Sequence, residues 1–298
     1  MDLVDQLRAF VATAQTGSFT AAADQLRVSN RLTSKYVGEL EARLGVRLFQ
    51  RTTRKVGLTP AGSQLLARAP AVLDELDDVL AGVSAGSRGT SGIIRIAAPV
   101  TFGETYVAGM LGRFGAKYPD LVLDLRLSDR HVDLASDGID LAFRIGVTET
   151  LSVKTVKLGT TELQAAASPT YLDACGVPEV PGDLTAHTCI IDTNGRSPKR
   201  WTFSRGGQDF NIPIAGRYLV NSARAACDLA TAGHGITCSP RFALSSALNA
   251  GRLSLLLQDY GGETIPFTAV YLEGRTLPRK VRSLIDFAKD DIRDQSAI

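Results

Sequence analysis

Between Thr59 and Val83 apolar side chains return at a spacing that suits a long helix. Leu65, Ala69, Val72, Leu76, Val79 and Val83 are separated by 4, 3, 4, 3 and 4 residues, and Leu66, Leu73 and Leu80 form a second stripe at intervals of seven. That is a coiled-coil pattern kept for about three heptads. So much apolar surface on one exposed helix is costly in water, which predicts a partner helix. Thr59-Pro60 reads as an N-cap followed by proline at the first helical position. Pro70 is a blemish, since an interior proline costs about 3 kcal/mol and kinks a helix. Residues 82–92, GVSAGSRGTSG, have the composition of a flexible linker. The helix therefore divides the chain into a small N-terminal block and a much larger C-terminal one.

Charge follows the same division. Residues 1–60 carry nine Lys/Arg against five Asp/Glu, a net of +4, and residues 61–90 carry two against four, a net of −2. The whole chain has a net charge of +2, so the remainder is neutral. A basic first block on a neutral second block predicts a polyanionic partner for the first alone.

That first block reads as three helices and a hairpin. Leu3, Leu7, Phe10 and Val11 recur at helical spacing, and Gly17 ends that helix. Ser18 caps a short helix whose Ala22, Ala23 and Leu26 face inward. After the tight connection Arg27-Val28, Ser29 caps a third helix with Val37, Leu40 and Leu44 as its buried stripe, stopped at Gly45. The stretch from Val46 to Leu58, around Thr52-Thr53-Arg54, suits a wing hairpin.

From Ile93 the pattern changes to alternating strands and helices, which implies parallel sheets. IIRIAAPV, LVLDLRLS, DLAFRIG, the strand at 236–239 and TIPFTAVYL read as strands. Helices are expected from about Phe102 to Tyr118, from Asn221 to Gly233 and from Pro278 to Arg293. VKTVKLGTTELQAAAS is an unusually long extended stretch. A long strand going out and another returning late would join two lobes with a cleft between them.

Residues 10–62 carry GSFTAAA, LRVS, ELEARLGVRLFQRTTR and LTPAG in order. This segment resembles the winged helix-turn-helix of LysR-type transcriptional regulators. The resemblance continues through IIRIAAPVTFG, LSDRHVDLASDGIDLAFRIG, AASPTYL, AGHGI and PRKVRSLIDF, and so covers essentially the whole chain. It implies a winged helix-turn-helix over 1–58, a dimerisation helix and hinge over 59–88, and an effector-binding domain over 89–298. That domain would be a two-lobed α/β unit of the periplasmic-binding-protein type, with lobe I at 89–161 and 267–298 and lobe II at 162–266. It further implies double-stranded promoter or operator DNA, a small-molecule effector, a homodimer or homotetramer, and RNA polymerase as a partner if the protein activates.

The residues agree with a DNA-reading helix. A recognition helix lays one polar face in the major groove and packs the other on its domain. With Val37, Leu40 and Leu44 inward, Asn30, Arg31, Thr33, Ser34 and Lys35 are expected to be free to point out. Arg31 suits guanine and Asn30 adenine, while Lys35, Arg51 and Arg54 suit phosphates. The alternative is a solvated charged face. The family often carries proline where this chain has Arg31, so the role of Arg31 has no counterpart to lean on.

Ligands in α/β folds sit at the carboxyl ends of strands and against helix N-termini. Effector contacts are therefore expected at Val100, Thr101 and Phe102, at Arg144, at Ser168, at Thr193 beside Asn194, and at Asn221 and Ser222. Thr101 and Ser222 offer hydroxyls, and Arg144 suits a carboxylate. Each also has a structural alternative: the hydroxyls cap helices, and Arg144 pairs with Asp124 or Asp140.

Signals for other functions fail. GVSAG at 82–86 matches a nucleophile-elbow pattern, but Ser84 lies where a helix enters a linker rather than between strand and helix. His131, His187 and His234 are far apart in sequence, and no phosphate-binding glycine motif occurs, so neither a metal, a cofactor nor enzymatic activity is expected. Cys175, Cys189, Cys227 and Cys238 make no C-x-x-C pair. A redox-sensing regulator using Cys227 and Cys238 is the second reading. A transport-type binding protein or an enzyme is the third. The N-terminus MDLVDQLRAF lacks the features of an export signal, and no apolar run approaches the roughly 20 residues that span a bilayer. A cytoplasmic protein with no membrane partner is therefore expected.

Overall fold

The computed structural model describes residues 2–51, 56–70, 72, 73, 76, 80, 91–130, 132–146, 152–273 and 277–294. An N-terminal head is built from α1 (Leu3–Thr16), α2 (Phe19–Leu26) and α3 (Asn30–Leu44), followed by the antiparallel ribbon β1 (Phe49–Arg51) and β2 (Val56–Leu58). Each helix begins on a side-chain cap. Asp2 accepts from the Val4 N–H, Ser18 from Ala21 and Ser29 from Leu32. Arg27, at φ 55°, makes the left-handed turn between α2 and α3.

Phe10, Val37, Leu40, Leu48 and Phe49 form the centre of the head, each no more than 5% exposed. Phe49 packs its ring at 5.4 Å from Phe10 and 5.7 Å from Phe19. Burying each large side chain contributes roughly 1.5–3 kcal/mol. Leu44 departs from the expected inward stripe and is 46% exposed. It sits on the last turn, directly before the left-handed Gly45 that ends the helix.

α4 (Pro60–Leu66) starts at Thr59, which accepts from the Gly62 N–H at 3.0 Å and donates to the Arg47 carbonyl at 2.7 Å. It does not run on unbroken. A turn at Ala67 and Arg68 separates it from helical residues beginning at Ala69. Pro70 lacks the N–H that would bond back to Leu66, so the interruption falls where proline chemistry places it. Ala69 and Leu73 are buried in the head's core, whereas Val72 and Leu80 are 59% and 56% exposed. Val79, residues 82–90 of the linker with Val83 and Ser84, and His131 lie outside the described residues.

The C-terminal portion is organised around a nine-stranded sheet of order β10-β7-β11-β6-β14-β5-β3-β4, with β12 against β6. The strands are β3 (Gly92–Ala98), β4 (Leu121–Leu127), β5 (Leu141–Ile145), β6 (Val153–Ala167), β7 (Cys189–Asp192), β10 (Tyr218–Val220), β11 (Ile236–Pro240), β12 (Ser254–Leu255) and β14 (Thr264–Leu272). β8 (Arg200–Arg205), β9 (Gln208–Pro213) and β13 (Gly261–Gly262) form a separate three-stranded sheet. β3 runs parallel to β4 and β5, and β7 parallel to β10 and β11. The fifteen-residue β6 pairs with β14 from Val153 to Glu162 and with β11 from Leu163 to Ala166, antiparallel to both. One strand thus belongs to two lobes.

Helix α5 covers residues 100–117 as Val100–Phe102, a π-helical turn Gly103–Val107, and Ala108–Lys117. The others are α6 (Pro169–Cys175), α7 (Ala223–Thr231), α8 (Arg241–Asn249) and the closing α9 (Arg279–Asp294). α9 is fastened to α5 by Asp291, which accepts from Tyr106 at 2.6 Å and from Arg113 at 2.8 and 2.6 Å. Phe102 stacks on Phe267 of β14 at 4.8 Å and packs on Phe242 of α8 at 5.2 Å. That aromatic group ties lobe I, the crossing strands and lobe II together.

Candidate nucleic-acid interface and ligand cleft

On α3 the first turns separate two faces. Val37, Leu40 and Thr33 are buried, while Asn30, Arg31 and Lys35 are exposed and Ser34 is half-buried. Thr33 is the one expected contact that does not share the open face. At 0% exposure its hydroxyl turns back to the Ser29 carbonyl at 3.3 Å, because position 33 is one turn before Val37 on the packed side. Asn30 is pre-set by its amide donating to Thr20 Oγ1 at 3.1 Å. Lys35 stands 4.0 Å from Glu39, a loose pair that leaves its charge available. Of the wing, the Arg51 side chain and Arg54 lie outside the described residues.

Glu41 was not singled out by the sequence reading, yet it fixes the wing to α3. Its Oε1 accepts from the Leu48 and Phe49 N–H groups at 2.8 and 3.2 Å, and its Oε2 from Arg47 at 2.8 Å. Burial pushes this carboxyl up. The bonds from Leu48, Arg47 and Phe49 outweigh that and hold it below the usual range. Nothing in ELEARLG marks which glutamate turns inward.

The carboxyl ends of β3, β4 and β5 in lobe I face those of β7, β10 and β11 in lobe II. Between them Thr101, 5% exposed, accepts the Arg224 N–H in the first turn of α7 at 3.2 Å. Thr101 is therefore not a cap of its own helix, which starts on Pro99 with no side-chain cap. It bridges the lobes. Val100 gives its N–H to Asp129 Oδ1 at 2.9 Å, and Ser222 caps α7 by accepting from Ala225. Thr193 is exposed and donates to the Val220 carbonyl at 3.0 Å, holding the β7 and β10 loops together, and Asn221 is exposed beside it.

Asp192, at the end of β7, has its carboxyl raised by burial, with the charge of Asp129 from the opposite lobe adding to the rise. Neither aspartate was among the expected contacts, although LSDRH places Asp129 directly after a strand. Arg144 is half-buried and donates to the Val132 carbonyl at 3.2 Å. Asp124 pairs with Arg126, and Asp140 Oδ2 takes the Arg95 N–H. Phe102 is 1% exposed, locked in its aromatic stack rather than open to the cleft.

Ser168 is a correction. It does end the crossing strand, but β6 is antiparallel to β11, so its carboxyl end lies at the opposite edge of lobe II from the cleft. There Ser168 is 3% exposed and caps α6 by accepting from Tyr171.

Cys175 is exposed, and the other three thiols are poorly placed for redox chemistry. Cys227 sits in the core cluster of α7 and is pushed up to about 11 by burial, while Cys189 is pushed up to about 12. Cys238 packs on the other side of β11, against the Trp201 cluster, and is raised further. Successive residues of a strand face opposite ways. Ser239 bonds Cys227 on one face and Cys238 looks to the other, so the two do not meet. His187 bonds the Tyr171 hydroxyl at 3.2 Å, and the His234 ring lies 5.4 Å from that of Tyr218. Among the described residues no three metal-binding side chains cluster, and no helix is long and apolar enough to cross a membrane.

Comparison with known proteins matches both parts of the chain to a family. Residues 4–63 match the family described as bacterial regulatory helix-turn-helix protein, lysR family, and residues 87–293 match the LysR substrate binding domain. An uncharacterized HTH-type transcriptional regulator of Haemophilus influenzae is 36% identical over 284 residues, which is 95% of this chain and 99% of its own. The HTH-type transcriptional activator AaeR of Escherichia coli is 30% identical over 290 residues, 97% of this chain and 94% of its own. CrgA of Neisseria meningitidis, a LysR-type transcriptional regulator of solved structure, is 28% identical with a TM-score of 0.61, covering 97% of this chain and 98% of that one. With both blocks matched, and relatives similar from end to end, the chain belongs to the LysR family of DNA-binding transcriptional regulators.

Proposed function

We propose that the chain reads operator DNA with α3 and that a small molecule held between the lobes modulates this binding. The observation that carries the reading is the open ridge of Asn30, Arg31, Ser34 and Lys35 on a helix whose other face is buried in the head. Arg31 is exposed and suits a guanine edge, while Lys35 suits phosphate. The wing residues Arg51 and Arg54 would add phosphate contacts. Thr33 takes no part.

The unit divides as head (1–58), connecting helix and hinge (59–88) and effector domain (89–298). Lobe I comprises 89–161 and 267–298, and lobe II comprises 162–266. Val100, Thr101, Arg144, Thr193, Asn221 and Ser222 are the effector contacts we propose. The protein is a homo-oligomer working in the cytoplasm on promoter DNA, with RNA polymerase a partner where it activates. It performs no catalysis. An effector acts only by its differential affinity for two arrangements of the lobes or subunits.

The test is fluorescence anisotropy with duplex DNA from upstream of the protein's own gene and an unrelated duplex of equal length. Wild type should prefer the first. Arg31→Ala should lose much of that preference, by roughly 1–3 kcal/mol for a bidentate base contact. Equal affinity for both duplexes in wild type would reject the reading.

A further inference from the structure

We propose that the head docks on lobe I through Gln15, and that this clasp passes the state of the interlobe cleft to the DNA-reading helix. This rests on the regulatory reading above for its purpose, though not for its geometry. Gln15, near the end of α1, presents both ends of its amide to lobe I. Its Oε1 accepts from the Arg95 guanidinium of β3 at 3.0 Å. Its Nε2 lies over Gly138, 3.7 Å from where a Cβ would stand. Gly138 holds φ +64°, a left-handed conformation that favours glycine. Both Gln15 and Arg95 are half-buried.

Arg95 is a firm anchor. Its N–H donates to Asp140 Oδ2 at 2.8 Å, and its carbonyl accepts the Asp140 N–H at 2.9 Å. Ile94 and Ile96 on either side of it are fully buried. The same strand leads, within six residues, to Thr101 and the interlobe bond with Arg224. On the head side, α1 carries Phe10 into the core shared with α3, and Gln6 donates to Glu39 of α3 at 3.1 Å. A movement of β3 that follows cleft opening therefore reaches α1 through Gln15, and α1 carries α3 with it.

The clasp is tested without DNA or effector, so a failure of DNA binding and a failure of the clasp give separate results. Spin labels at Gln25→Cys and Ala116→Cys, in a Cys175→Ser background, report the distance from head to lobe I. Labelled chain is diluted into excess unlabelled chain so that only distances within one chain are read. We expect a narrow distribution that broadens in Arg95→Ala and in Gln15→Ala, with no further broadening in the double variant. Gln15→Glu keeps an acceptor for Arg95 and should restore the narrow distribution, separating the clasp from a folding defect. Thr101→Val removes the interlobe bond at constant shape. It should shift the distribution when the clasp is intact and leave it unmoved when Arg95→Ala is also present. A distribution indifferent to Arg95→Ala and Gln15→Ala, or a Thr101→Val shift that survives loss of the clasp, overturns the proposal.

Discussion

Glu41 shows how much a single side chain organises in the head. Three hydrogen bonds converge on a carboxylate that is only 7% exposed. Glu41→Ala leaves the Leu48 and Phe49 N–H groups without their acceptor, and should destabilise the head by about 1–3 kcal/mol in denaturant titration. Because the folded carboxyl is held below its usual range, its contribution is present above the unfolded pKa and disappears as pH falls through the folded one. Stability of the wild-type head should accordingly drop on acidification, more steeply than that of Glu41→Ala. Thr101 and Thr33 make the complementary point. Both are buried threonines near a helix start, yet one joins two lobes and the other only bonds its own helix.

At the scale of elements, both stripes of the connecting helix divide between the head and the outside. Ala69 and Leu73 complete the head's core, while Val72 and Leu80 face outward in the single chain. A self-complementary apolar stripe of this kind is satisfied by a second copy related by a twofold axis. Leu80→Asp, or Val72→Asp, should move the protein toward smaller assemblies in sedimentation equilibrium while leaving its helix content intact. An unchanged mass would count against pairing through this stripe.

Elements with a strong period, α1, α3, β3, β6 and α9, were legible in the residues themselves. The hairpin of β8 and β9, the short β7 and β10, and helices α6 and α8 were not, because each is too short or too mixed to show a period. Side-chain roles were less legible than elements. Ser168 was misplaced because a strand's direction within its sheet cannot be read from that strand alone. Asp129 and Asp192 escaped because only the folded lobes bring them face to face.

Over the whole molecule, the two lobes, their shared strands and the basic head combine into a ligand-responsive DNA binder. Cys227 and Cys238 contribute packing, as their buried, raised thiols on opposite faces of β11 indicate. Cys227→Ser with Cys238→Ser should therefore leave the response of DNA binding to peroxide the same as in wild type, measured by anisotropy before and after treatment. The central claim is that paired copies of α3 enter successive major grooves. Hydroxyl-radical footprinting of the full chain on its own upstream DNA tests it most directly. The account predicts two protected patches on one face of the duplex, separated by whole helical turns of about 10 base pairs each, and both lost together in Arg31→Ala. A footprint without that two-part symmetry, or one that Arg31→Ala leaves untouched, would contradict it.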